Sequence, residues 1–314
     1  MSRQVSRTRT TLKDPFSEFY WELALRPKPF EYYAPSTLAE ALSLLSNAED
    51  AKILAGGQSL ITLMKLRLAA PNSLIDINHI TELNYIREAN GSIAIGALTR
   101  HDQLATSSLV RKKFTLLAEA ADVIADQQVR NRGSIGGSLA HADPSADLPT
   151  ACTALKAEIK VTQENGSRTI AAKDFFLDFF TTALKENEII KEVCIPIPPP
   201  RSGGAYGKLT KGHNDFALVS IAAQSSLSPD GICEEISVVL GGVALKPTHA
   251  EETERILVRR KIDDHVLREA TLKAAEGLTP TPDPRVTSEL KREMIRVLAE
   301  RTLRKAFNRA RGPT

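Results

Sequence analysis

The chain has 314 residues, 42% of them hydrophobic and 25% charged. That is the make-up of an ordinary globular protein, with length for about two cores at roughly 150 residues per domain. Lys and Arg number 41 against 38 Asp and Glu, and the resulting charge of +3 is too small for a dedicated nucleic-acid surface. Cys152, Cys194 and Cys233 lie far apart with no CxxC pair, which argues against a zinc ribbon, a disulfide framework or a self-contained iron–sulfur site and fits a reducing cytoplasm. No run of about 18 apolar residues is present to span a bilayer.

From Met1 to about Pro27 the chain is rich in Arg, Ser and Thr and then turns aromatic at Phe16, Phe19, Tyr20 and Trp21, so residues 1–27 read as a flexible leader. Helix and strand patterns alternate after it. Thr37-Leu38-Ala39-Glu40 has the form of a capping box, with Leu38, Leu42 and Leu45 on one face of the helix it opens. Ala51 to Ala55 reads as a buried strand running into Gly56-Gly57-Gln58-Ser59, followed by a helical stretch from Leu60 to Leu68. Ser73 to Ile77 and Ser92 to Ala97 are further strands, and Leu104 to Ala125 is mostly helical in pattern. A second glycine turn follows at Arg132 to Ala140, then His141-Ala142-Asp143-Pro144-Ser145-Ala146-Asp147, an apolar helical run from Thr150, and strands at Ile159 to Val161 and Ile189 to Ile195.

Pro196 to Gly204, with four prolines, is the best linker in the chain. Beyond it come strands at Tyr206 to Leu209, Ala217 to Ser226 and Ile236 to Leu240, a diglycine at Gly241-Gly242 that reads as a bulge or turn, and two closing helices, Val266 to Ala275 and Val286 to Ala310.

A diglycine between strand and helix lets consecutive N–H groups converge on one point, a nest suited to an anion. Two such turns, Gly56-Gly57 and Gly136-Gly137, suit two linked phosphates; Ser59 can either cap its helix or donate to a phosphate. Neither turn follows GxGxxG and no GxxxxGK[ST] string occurs, so a dinucleotide would sit on a scaffold other than a Rossmann fold or P-loop. His141, Asp143 and Asp147 crowd into seven residues, yet no later His/Glu pair completes a metal site, and no serine or cysteine nucleophile is flagged by a partner. No metal ligand and no catalytic residue is assigned.

The strings Pro29-Phe30-Glu31-Tyr32-Tyr33-Ala34-Pro35, Ala55-Gly56-Gly57-Gln58-Ser59-Leu60, Ile95-Gly96-Ala97-Leu98-Thr99 and Gly133 to Pro144, in this order, resemble the FAD-binding medium subunits of molybdenum hydroxylases. The aerobic carbon monoxide dehydrogenase type is nearest, and the FAD domain of xanthine dehydrogenase is a more distant likeness. The resemblance implies an α+β fold of the vanillyl-alcohol-oxidase type. Residues 28–200 would form the FAD-binding domain, in subdomains of about 28–84 and 85–200, and residues 201–314 a C-terminal domain of a three-stranded sheet and helices.

It also implies that FAD is held at its pyrophosphate by Ala55, Gly56, Gly57, Gln58, Ser59 and Leu60 and by Ser134, Ile135, Gly136, Gly137 and Ser138. Asp147 would meet the ribityl chain, and Lys208 and Asp215 would reach the flavin ring. Lys211 and Phe216 stand where relatives often carry Arg, and Tyr or Trp. The implied partners are a small [2Fe–2S] subunit and a large molybdopterin subunit, paired as a dimer of heterotrimers, with NAD, a quinone or oxygen as acceptor. The role expected is electron passage, with no activity on the organic substrate alone. Two alternatives stand beside it: a nucleotide-binding scaffold without flavin turnover, and a stand-alone flavin oxidase.

Overall fold

The computed structural model describes residues 26–281 and 283–312. The leader proposed for residues 1–27, with its aromatic stretch, lies outside the described residues except for its last two.

The first unit is a three-stranded parallel sheet of β1 (Glu31–Tyr33), β2 (Ala51–Leu54) and β3 (Ser73–Asp76), in the order β1-β3-β2. Parallel neighbours need crossovers, and two short helices supply them: α1 (Leu38–Asn47) and α2 (Leu60–Lys65). The Thr37 cap forms, with the Glu40 N–H donating to Thr37 Oγ1 at 3.2 Å, but the Glu40 carboxylate reaches one residue beyond the box and accepts from the Ser36 N–H at 3.0 Å. The cap sets α1 so that Ala41, Leu42 and Leu45 meet Ile75, Ile77 and Leu83 in one small core.

The second unit is a five-stranded antiparallel sheet, β4 (Ile86–Ala89), β5 (Ser92–Gly96), β10 (Ile189–Pro196), β6 (Glu158–Gln163) and β7 (Gly166–Ala171), in that spatial order. Its inner face carries Ile93, Ile95, Ile159, Val193 and Ile195. Against it packs a run of short helices: α3 (His101–Thr106), α4 (Ser108–Lys113), α5 (Thr115–Asp122), α6 (Gln127–Arg132), α7 (Ile135–His141), α8 (Asp147–Ala154) and α9 (Ala172–Phe175). The broad helical pattern from Leu104 to Ala125 is thus broken into pieces, because Ser107 caps α4 through the Val110 N–H and Phe114 leaves helical geometry before α5. A small hairpin, β8 (Phe176–Asp178) with β9 (Thr181–Thr182), follows.

The outer face of this sheet holds one recessed carboxylate. Glu192 accepts from Tyr85 Oη at 2.5 Å, Lys160 Nζ at 2.7 Å and Cys194 Sγ at 3.1 Å. Burial would push its pKa up, but these donors and the Lys160 charge outweigh it and hold the carboxyl at about 2. A folded-state pKa below the unfolded one means stabilisation that is complete above about 4.5 and lost as pH falls toward 2. Glu192→Gln is therefore expected to cost about 1–3 kcal/mol at pH 7 and almost nothing at pH 2. Urea melts of both proteins at the two pH values check this; an equal gap at both would disprove it.

The third unit is an antiparallel sheet of β11 (Ser202–Leu209), β12 (Val219–Leu227), β13 (Cys233–Gly241) and β14 (Thr248–His249), covered by α10 (Glu251–Leu257), α11 (Asp264–Leu272) and the long α12 (Ser288–Arg311). Three features differ from the sequence expectation. The sheet has a fourth strand, only two residues long and starting directly after Pro247. A third helix, α10, is present, whose run Glu-Glu-Thr-Glu-Arg-Ile-Leu buries only Thr253 and Leu257 and so shows almost no apolar period. The linker is shorter than expected, because β11 begins at Ser202: Gly203 lies so close under α12 that a Cβ would strike the Ala306 carbonyl, and strand pairing is what brings it there. Gly241 ends β13 in regular pairing, and the turn falls on Gly242, whose φ is +74°.

No helix among the described residues is long and apolar enough to cross a membrane.

Candidate functional site: two facing glycine turns and a buried ion pair

The first turn leaves the carboxyl end of β2. Gly57 takes φ +74°, a conformation that disfavours any side chain, and a Cβ there would lie 3.2 Å from Ile61 Cγ1 and 3.4 Å from Leu54 Cδ1. The N–H groups of residues 56–60 donate to no acceptor among the described residues. Ser59 precedes α2 but makes no side-chain cap bond, so its hydroxyl is not used on its own helix. Leu60 is the first helical residue.

The second turn is built differently. The Ile135 N–H donates to the Thr99 carbonyl at 3.0 Å and the Gly136 N–H to the Ala97 carbonyl at 2.9 Å, which rivets the turn to the segment after β5. Ser134 caps α7 by accepting from the Gly137 N–H at 3.3 Å, and Ser138 N–H returns to the Ser134 carbonyl at 3.0 Å. What this turn offers outward is space. Beyond Ser134 Oγ, a Cβ on the exposed Gly137 would meet only Ala55 Cβ, at 3.9 Å, across from it. The two turns therefore face each other, one contributing free donors and the other a side-chain-free wall.

A polar bracket that sequence reasoning missed fixes their spacing. Asn78, just past β3, donates from Nδ2 to the Ala55 carbonyl at 2.7 Å and is itself held by Asp76. Arg100 joins the two turns by donating to Asn78 Oδ1 at 2.8 Å and to the Arg132 carbonyl at 2.6 Å. Tyr32 Oη donates to the other oxygen of Asp76 at 2.6 Å. Behind the second turn, the ring of His101 fills the space a Gly133 side chain would need. Burial, with help from the Arg100 and Arg130 charges, pushes its pKa down to about 4, so it is a neutral packing group at physiological pH. The sequence signal for the bracket was Asp76-Ile77-Asn78, an Asx-type turn closing a strand, which by itself names no distant partner.

The third element lies where the second and third units meet. Asp147, the first residue of α8, is 5% exposed and accepts from Lys208 Nζ at 3.0 Å and Tyr206 Oη at 2.8 Å. Tyr206 and Lys208 alternate along β11 and so project from the same face. Lys208 Nζ also donates to the Val123 carbonyl at 3.1 Å. Burial raises the Asp147 pKa despite the Lys208 charge, and burial with the Asp147 charge raises that of Tyr206 further. Asp215 stands apart in the 210–217 loop, where its Oδ2 accepts from the Gly212 N–H at 2.9 Å; Phe216 beside it is 55% exposed. Thus the structure brings the two turns together and pairs Asp147 with Lys208, while Asp215 caps its own loop. Among the described residues no group of His, Cys, Asp and Glu is placed to hold a metal ion.

This architecture is that of a flavoprotein subunit: residues 28–198 match the family model described as the FAD binding domain in molybdopterin dehydrogenase, and residues 204–306 that of the CO dehydrogenase flavoprotein C-terminal domain. The chain belongs to this family, and FAD is its cofactor. It is 38% identical to the 6-hydroxypseudooxynicotine dehydrogenase complex subunit alpha of Paenarthrobacter nicotinovorans, over 91% of this chain and 97% of that one. It is also 38% identical to the carbon monoxide dehydrogenase medium chain of Hydrogenophaga pseudoflava, over 90% and 99%. A solved carbon monoxide dehydrogenase from the same organism, lacking the Mo-pyranopterin moiety of its cofactor, superposes with a TM-score of 0.87 at 40% identity, covering 90% of this chain and 99% of that one. The chain is accordingly an oxidoreductase subunit of the FAD-containing kind.

Proposed function

We propose that the chain is the flavin-holding subunit of a multi-subunit molybdenum hydroxylase. It would be built on a vanillyl-alcohol-oxidase-type fold, with residues 28–200 as the FAD-binding part, in halves of about 28–84 and 85–200, and residues 201–314 as the C-terminal part. The observation that carries this reading is the pair of facing turns, with free N–H donors at residues 56–60 opposite the exposed, side-chain-free Gly137. Free backbone donors attract a pyrophosphate, and a wall without side chains lets it approach the backbone. Ala55, Gly56, Gly57, Gln58, Ser59 and Leu60 with Ser134, Ile135, Gly136, Gly137 and Ser138 would hold the pyrophosphate. Asp147 and Lys208 would face the ribityl and ring end, with Asp215 shaping the loop beside it.

When bound, FAD supplies the electron-carrying chemistry, taking electrons from the iron–sulfur clusters of a small partner subunit and passing them to NAD, a quinone or oxygen. The protein's own part is to fix the two turns through the Arg100–Asn78 bracket, to keep the Asp147–Lys208 pair out of water, and to leave the Phe216 loop at the surface. A large molybdopterin subunit would oxidise the organic substrate, the three chains pairing as a dimer of heterotrimers.

The tagged chain, isolated from its native cell, is expected to bring one FAD, a [2Fe–2S] subunit and a molybdopterin subunit. The flavin absorbance should bleach when the complex meets its substrate. A flavin that stays oxidised would favour the scaffold reading, turnover of an organic substrate by the isolated chain would favour the stand-alone oxidase, and absence of flavin would overturn the assignment of the turns.

A further inference from the structure

Lys291 is the fourth residue of α12 and is only 2% exposed. Enclosing an ammonium is costly, and a methionine would fill the same volume without that cost, so the charge calls for a role. Its Nζ donates to the Gly242 carbonyl at 2.9 Å, its one hydrogen-bond acceptor among the described residues. Asp283 and Arg285, from the segment before α12, are the charged groups that act on it.

Gly242 is a junction. Its N–H donates to the Pro144 carbonyl at 2.8 Å, and a Cβ on it would sit 2.9 Å from the Leu218 carbonyl oxygen and 3.0 Å from that of Ala217. Three segments thus meet at one left-handed residue: α12, the backbone just after Phe216, and the turn that leads into Asp147. That last turn is stiff, because Ser145 N–H donates to Asp143 Oδ1 at 2.8 Å and Ala146 N–H to the Asp143 carbonyl at 3.0 Å. A shift at Pro144 is therefore passed on to Asp147, three residues further along.

We propose that Lys291 is a positioning residue for the flavin site: by holding the Gly242 carbonyl it sets the turn that fixes the Pro144–Asp147 approach and the base of the Phe216 loop. It touches no cofactor itself. The inference rests on the reading that Asp147 and the 208–216 segment face the flavin.

The test uses the full chain with Lys291→Met and Lys291→Arg, read by amide hydrogen exchange without flavin and by FAD titration. Lys291→Met should keep its melting temperature while exchange at residues 143–147 speeds up and FAD affinity falls, each by about tenfold, with exchange along α12 unchanged. Lys291→Arg, which retains a cationic donor, should restore both. Wild-type exchange and affinity in Lys291→Met would overturn the proposal, and so would a uniform rise in exchange over the whole C-terminal sheet and α12, the mark of a merely structural lysine. If Lys291→Met does not fold, Lys291→Gln, a shorter neutral donor, is measured in the same two ways, and the same outcomes support or overturn the clamp. If the wild-type chain takes up no FAD, the flavin reading fails, and exchange at 143–147 still decides the clamp.

Discussion

Gly57→Val is expected to strip the chain of FAD while leaving most of the fold in place. The native φ of +74° is open to glycine and costs a residue with a Cβ about 1–2 kcal/mol. A branched side chain adds two methyl groups where Ile61 Cγ1 and Leu54 Cδ1 already stand 3.2 and 3.4 Å from the Cβ position. The easiest relief is to rotate the turn, which redirects the free N–H groups of residues 56–60 away from the facing glycine wall. Flavin content after purification should drop by at least about tenfold, since losing several backbone donors removes more than about 1.4 kcal/mol of binding.

Gly137→Val tests the other side. Its φ is ordinary, and Ser134 Oγ at 3.1 Å is the nearest atom, so the variant should fold and yet fill the space opposite Ala55. Gly241→Val is the control. Its Cβ would collide with the Thr150 and Ser220 hydroxyls inside the domain junction, so it should lower stability without touching the turns. Flavin absorbance per mole of protein, measured beside the melting temperature of each variant, separates these effects. Wild-type flavin content in Gly57→Val would remove the first turn from the pyrophosphate site.

Much of this site was legible because local chemistry wrote it. Strand, diglycine and helix appear in order at residues 51–65, and the Thr37 side chain caps the helix it opens, with Glu40 reaching back to the Ser36 N–H. What could not be read is what depends on distant partners. The two turns look alike in sequence, yet only the first keeps its N–H groups free, because Thr99 and Ala97, distant in the chain, claim those of Ile135 and Gly136. The Arg100–Asn78 bracket spans 22 residues and leaves no periodic trace. Another element is signalled locally. Asn90 and Gly91, with φ of +51° and +73°, make the tight hairpin that pairs β4 with β5, and Asn-Gly is the dipeptide that such a two-residue turn favours, although the strand before it, Ile86-Arg87-Glu88-Ala89, is not apolar. The resemblance puts Lys208 at the ring, whereas its buried pairing with Asp147 depends on where β11 lies against α8.

That pair gives the second large effect. Asp147→Asn leaves the Lys208 ammonium, with 7% of its side chain exposed, facing Val123 and Tyr206 without a counter-charge. Removing one partner of a buried pair costs about 3–5 kcal/mol, so this variant should lose a large share of the stability of its domain junction and, with it, FAD. Lys208→Met behaves differently, because the carboxyl left behind can take up a proton. Burial already raises the Asp147 pKa, and losing the lysine raises it further. A folded pKa above the unfolded one gives stability that is fully present below the unfolded value and lost as pH rises through the folded value. Lys208→Met should therefore melt nearer to wild type at pH 5 than at pH 8. The double variant Asp147→Asn with Lys208→Met should lose that pH dependence, since neither group then titrates, and should be more stable at pH 8 than Lys208→Met alone. Thermal melts of the four proteins at both pH values complete the cycle. If the two single variants show the same pH profile as wild type and their costs simply add, Asp147 and Lys208 do not act as a pair in solution.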